Sequence, residues 1–137
     1  MPSQVFINLA VKDLAKSMAF YTEIGFTNNP QFSDDSGKCM VWSEHIFVMI
    51  MTHEKFATFV TRPVADMQTH IAGIFALSVD SVERLDDIVD KGLAAGGVEP
   101  SPFQDYGFMQ RRVIEDPDGH TCEIFYMDMS KFPAGEA

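Results

Sequence analysis

Cysteine is nearly missing from this sequence: Cys39 and Cys122 stand alone among 137 residues, with no CxxC pair. That excludes a disulfide framework and a cysteine-built zinc ribbon. Basic residues are scarce too, 10 against 20 acidic ones for a net charge of −10. A surface so poor in cations excludes the usual routes to nucleic acid and to anionic membranes, leaving no nucleic-acid and no membrane partner expected. The longest apolar run, Ile46–Met51, falls far short of the roughly 20 residues needed to cross a bilayer. The four histidines are scattered and form no HxH or HExxH pattern, so no strong metal motif exists. The N-terminal "MPSQVFINLAVKDL" lacks a basic region followed by an apolar one, so no signal peptide is expected. What remains is a cytoplasmic enzyme or binding protein.

What the sequence does contain is a repeat. "QVFINLAV" is rich in strand formers, and Asp13 then offers an N-cap to "LAKSMAFYTEI", which Gly25 ends. Strands "GKCMVWS" and "HIFVMIMT" follow, joined through "SEH". The second half opens the same way: "HIAGIFALSV" reads as a strand, and Asp80 or Ser81 caps a helix beginning "VERLDDIVDKGLA". Val82, Leu85, Ile88, Val89 and Leu93 give that helix one apolar face before Gly96-Gly97 stop it. "GVEP", "GFMQRRVIED" and "HTCEIFYMD" complete three more strands. Each half reads β-α-β-β-β and is too small to bury its own face, so the two must close on each other. The expected fold is α+β: two tandem modules forming a cup-shaped, mostly antiparallel sheet with helices on the convex side. They form a single domain over 1–137, with module one at 1–60, a linker at 61–68 and module two at 69–137.

Glu123 is the residue that asks for an explanation. It stands in the middle of an apolar strand, where a carboxylate is costly without a partner. Its same-face neighbours Thr121, Phe125 and Met127 are largely apolar, which favours a ligand-facing carboxylate over a solvated one. In a cleft it could serve as a general acid or base, or anchor a cationic group. "EDPDGH" just before it carries the turn chemistry of a hairpin, and His120 reads as a water-exposed turn residue.

Three stretches resemble one family: "LAVKDLAKSMAFYTEIGF", "LSVDSVERLDDIV" and "YGFMQRRVIEDPDGHTCEIF". Together with the paired module order they resemble the vicinal-oxygen-chelate superfamily of glyoxalases, bleomycin-resistance proteins and extradiol dioxygenases. The first module further resembles a branch labelled predicted lactoylglutathione lyase. The resemblance implies a cup-shaped site, a homodimer, and a divalent metal held by one residue from each of four strands, which polarises vicinal oxygens of a substrate. Carried over position by position, those ligands fall on Phe6, Met49, Ile74 and Glu123. Only the last can bind a hard cation.

Strand parity gives the remaining candidates. Val5, Ile7, Leu9 and Val11 suit the helix side, so Phe6, Asn8 and Ala10 face the cleft; Phe47, Met49 and Met51 share that parity in module one. With Trp42, Ile74, Tyr106, Met109, Arg111 and Glu123 they make up the candidate ligand-binding set, a soft aromatic and methionine wall or ordinary core. Arg111 or Arg112 either meets an anionic ligand group or forms an edge-strand salt bridge. His53 ends a strand and is a weak metal candidate. Three functions stay open. The first is binding of a small molecule, cationic if Glu123 anchors it, in an acidic, apolar-walled cleft with no cofactor and no metal quartet. The second is a divalent-metal lyase or isomerase, the metal assembled from Asn8, His53 and Glu123. The third is a non-catalytic dimeric interaction protein.

Overall fold

Asp13 accepts the Lys16 amide at 3.0 Å and so starts the first helix, and Gly25, at a φ of 122°, ends it. The computed structural model describes residues 2–133. The first unit runs β1 (Val5–Val11), α1 (Leu14–Ile24), β2 (Thr27–Asn29), β3 (Gly37–Val41) and β4 (Ile46–Thr52). A short helix α2 (His53–Ala57) and a connecting segment without regular structure lead to the second unit. That unit runs β5 (Ile74–Val79), α3 (Val82–Ala94), β6 (Gln104–Asp105), β7 (Met109–Glu115) and β8 (Thr121–Met127).

The architecture is α+β, with two four-stranded mixed sheets in the orders β1-β4-β3-β2 and β5-β8-β7-β6. In each, the first strand pairs in parallel with the last and the other pairings are antiparallel. The apolar alternation of β1 holds for Ile7, Leu9 and Val11, which join the core, but not for Val5, which is exposed at the start of the strand; Phe75, Leu77 and Val79 join the core from β5. Helices α1 and α3 pack on one another. They meet at Gly92, where a Cβ would lie 2.4 Å from Ile114 Cδ1 and 3.1 Å from Ile24 Cγ2. Glycine is present inside this helix because the contact leaves no room for a side chain. Leu93, expected on the apolar face, is exposed instead. Among the described residues no helix is long and apolar enough to cross a membrane.

The structure corrects several strand boundaries. β5 starts at Ile74 rather than His70, because its partner β8 starts at Thr121 and no strand lies beside residues 70–73. "GVEP" supplies a single bridge, Val98 to Glu115, and the edge strand of that sheet is Gln104–Asp105. Ser81, not Asp80, caps α3 by accepting the Arg84 amide at 3.0 Å.

The Asp116–Gly119 turn is more than a hairpin. Asp116 is 4% exposed and its carboxylate accepts the Tyr21 hydroxyl at 2.7 Å and the Asp118 and His120 amides at 2.9 Å. Asp118 accepts the Lys12 amide at 2.8 Å, and Gln68 of the connecting segment donates to the Pro117 carbonyl at 3.0 Å. One turn of the second unit therefore fastens both the first unit and the segment between them. Burial pushes the Asp116 carboxyl up from its ordinary value. Burial, and then the Asp116 charge, hold the Tyr21 hydroxyl well above its own.

Candidate functional site

Glu123 is not a lone carboxylate. Arg111 stands on the next strand, and its Nε donates to Glu123 Oε1 at 2.7 Å, with both side chains mostly buried (18% and 16% exposed). Arg111 Nη1 also donates to Gln104 Oε1. The hydrogen bond that Arg111 donates to Glu123 holds the guanidinium above its ordinary pKa, so the pair is a fixed ion pair on the helix-free face of the second sheet. Of the two alternatives for Arg111, the salt bridge is the one present. Arg112 points the other way, to Asp86, Asp90 and Glu99 at 2.9–3.1 Å.

The other candidates divide between two sheets. Phe6 stacks on Phe47 with centroids 4.4 Å apart, and Met49 pairs with Asn8 and Cys39, all in the first sheet. Ile74, Met109, Arg111 and Glu123 belong to the second. Met51 is buried. Tyr106 is exposed beside Gly107. Trp42 departs from the expectation: it lies just past the end of β3, and its ring packs on Phe26 at 5.1 Å and under Arg84, against the core.

A cavity of about 750 Å³ opens between the edges of β1 and β5, beneath α2 and the connecting segment. Asn8 and Ile74 are the two candidate residues that line it; Phe6, Met49 and Glu123 do not. Its walls are largely apolar, including Phe56, Phe59, Val64, Ile71 and Phe75. None of its lining residues is acidic, and Arg62 brings a full charge. The acidic cleft expected around Glu123 and this cavity are therefore different places.

His120 lies at one wall. It is half-buried, not exposed, and its Nε2 lies 2.7 Å from the Ala10 carbonyl. A carbonyl only accepts, so Nε2 is the donor of this bond. On its far side a smaller cavity of about 170 Å³ is lined by His53, Asp66, Asp118 and Lys12 as well as His120. Sequence reasoning missed this wall because turn residues carry no periodicity that reports burial.

A family model described as Glyoxalase/Bleomycin resistance protein/Dioxygenase superfamily matches residues 3–124. The chain belongs to that superfamily. No curated protein matches it. Among solved structures the chain is similar to a hypothetical protein from S. aureus, with TM-score 0.78 at 23% identity, covering 92% of this chain and 95% of that one. A glyoxalase-related enzyme from Fulvimarina pelagi gives TM-score 0.76 at 21% identity over 92% and 88%. The fosfomycin resistance protein FosX from Listeria monocytogenes gives 0.67 at 21% identity over 96% and 98%. At these identities the likeness is one of fold.

Members of this superfamily often use a divalent metal, so the donor set is the test. Phe6, Met49 and Ile74 offer no hard donor, and Glu123 is engaged by Arg111. Asn8, His53 and Glu123 do not assemble either: Asn8 lines one cavity, His53 another, and Glu123 neither. Among the described residues no three His, Cys, Asp or Glu side chains converge. The residues present do not fit the superfamily's metal quartet.

Proposed function

We propose that this superfamily member binds a small molecule in the cavity between β1 and β5, without the metal quartet, as a cytoplasmic homodimer. The observation that carries the reading is the pairing of a roomy apolar cavity with four ligand positions that hold one carboxylate, already neutralised. Cavities of roughly 300–1,000 Å³ with a few polar groups are where proteins take small ligands. The dimer is supported by the helix-free face of the first sheet, where Phe6 is 48% exposed although stacked on Phe47.

Glu123 works in this reading as the partner that fixes Arg111. To act as a free acid or base it would first have to leave a 2.7 Å ion pair. The resemblance to the predicted lactoylglutathione lyase branch brings no activity into the proposal. Metal analysis of protein purified without chelator is the test. Substoichiometric Zn, Ni, Mn and Fe are expected, and one equivalent of any of them overturns the metal-free part.

A further inference from the structure

Among the described residues Arg62 is the one arginine without an ion pair. The chain has twice as many acids as bases, and its other three arginines are paired: Arg84 with Asp87, Arg111 with Glu123, Arg112 with Asp86, Asp90 and Glu99. Arg62 makes no ion pair among the described residues, and it lines the cavity. Pro63 after it has its own φ fixed by the ring and holds the Arg62 backbone to extended conformations, which limits how far the segment can carry the guanidinium away.

From this unpaired cation above acid-free apolar walls, we infer that the cavity takes an amphipathic monoanion, an apolar chain or ring ending in one carboxylate. The inference rests on the reading that this cavity binds a small molecule, and it reverses the cationic ligand expected from Glu123. A planar guanidinium matches a carboxylate through two parallel hydrogen bonds, whereas a cationic head would meet like charge. One arginine neutralises one charge, so a dianionic head would keep an unmatched charge at an apolar mouth. The protein's overall negative charge opposes any anion at long range, but ordinary salt screens it beyond about 8 Å, while the ion pair acts at contact. The apolar body supplies most of the affinity by filling the walls formed by Phe56, Phe59, Val64, Ile71 and Ile74.

Calorimetric titration with decanoate and decyltrimethylammonium below their micelle concentrations, and with decanol below its solubility limit, tests this on the full chain. Decanoate is expected to bind about tenfold or more tightly than either of the others, tenfold being about 1.4 kcal/mol. Arg62→Gln, a change at an exposed side chain, should remove that preference and leave decanol binding unchanged. Ala72→Trp, placed to fill the cavity, should abolish binding of all three, with circular dichroism confirming the fold. Equal binding of the three probes, or no effect of Arg62→Gln, overturns the ligand class while the cavity reading stands. Binding of none to the wild-type chain overturns the cavity reading itself. Undiminished decanoate binding in folded Ala72→Trp places the anion elsewhere and overturns the inference.

Discussion

The turn between β3 and β4 and the turn between β7 and β8 occupy the same place in the repeat, and they do opposite things. In the first unit the connection is Trp42–His45. Glu44 and His45 lie in solvent, and the hydrogen bonds of this turn stay within its own unit: Gln4 donates to the Glu44 carbonyl and Val5 to that of His45, while Trp42 meets the second unit only through its ring, under Arg84. In the second unit the connection is Asp116–His120. Its side chains and carbonyls reach Lys12, Tyr21, Ala10 and Gln68, all outside its own unit. The duplication is thus faithful in the sheets, where parallel and antiparallel pairings recur strand for strand, and broken in the turns. The halves are alike in their sheets and share the α1–α3 packing, and this one asymmetric turn adds hydrogen bonds between them.

The largest expected effect in this comparison comes from Asp116→Ala. It leaves a buried tyrosine hydroxyl and two amides without their acceptor, and should cost about 3 kcal/mol in urea denaturation. Glu44→Ala in the sister turn should leave the midpoint unchanged, and equal losses at both positions would erase the contrast drawn here. Gly119→Ala comes next, at about 2 kcal/mol. Gly119 has a φ of 92°, and an added Cβ would sit 2.4 Å from the Met67 carbonyl oxygen, so the connecting segment must shift. Loss of decanoate binding in this variant would show that the turn positions the cavity roof.

The smallest effect appears at high pH. The folded-state pKa of Tyr21 lies above its unfolded value, so its contribution is complete below about 10 and is lost as pH rises through the raised value. Burial pushes the Cys122 thiol up to about 12, which acts in the same direction. Tyr21→Phe should therefore cost about 1 kcal/mol at neutral pH and give a shallower alkaline loss, with a residual slope from Cys122. An unchanged alkaline slope would take Tyr21 out of the joint.

Strand parity was the most legible property of the sequence, because two-residue alternation is imposed by the pleat itself: Ile7, Leu9 and Val11 lie on the side it assigned them, and only Val5, at the strand's end, escapes it. Helix caps were legible where the chemistry is local, as at Asp13 and Gly25. The short helix α2 escaped notice although Thr52 signals it by accepting the Lys55 amide. The meaning of Asp-Pro-Asp-Gly was not legible at all, since the same residues make the same turn whether water or Tyr21 lies beside them. Glu123 and Arg111 share a face by parity, yet which of two arginines would close on the carboxylate depends on the β7–β8 register, which pairs Arg111 with Phe125 and Val113 with Glu123. The cavity depends on a connecting segment that has no period to read.

The joint at the Asp116 turn also sets an order of events. Within each sheet the parallel strands are about 40 to 50 residues apart along the chain, whereas the bonds of the joint close loops of 95, 106 and 110 residues. Longer loops cost more entropy to close, and contacts between elements already folded come after those that fold them. The two sheets are thus expected to mature first, and the space between β1 and β5 takes shape only when the turn docks.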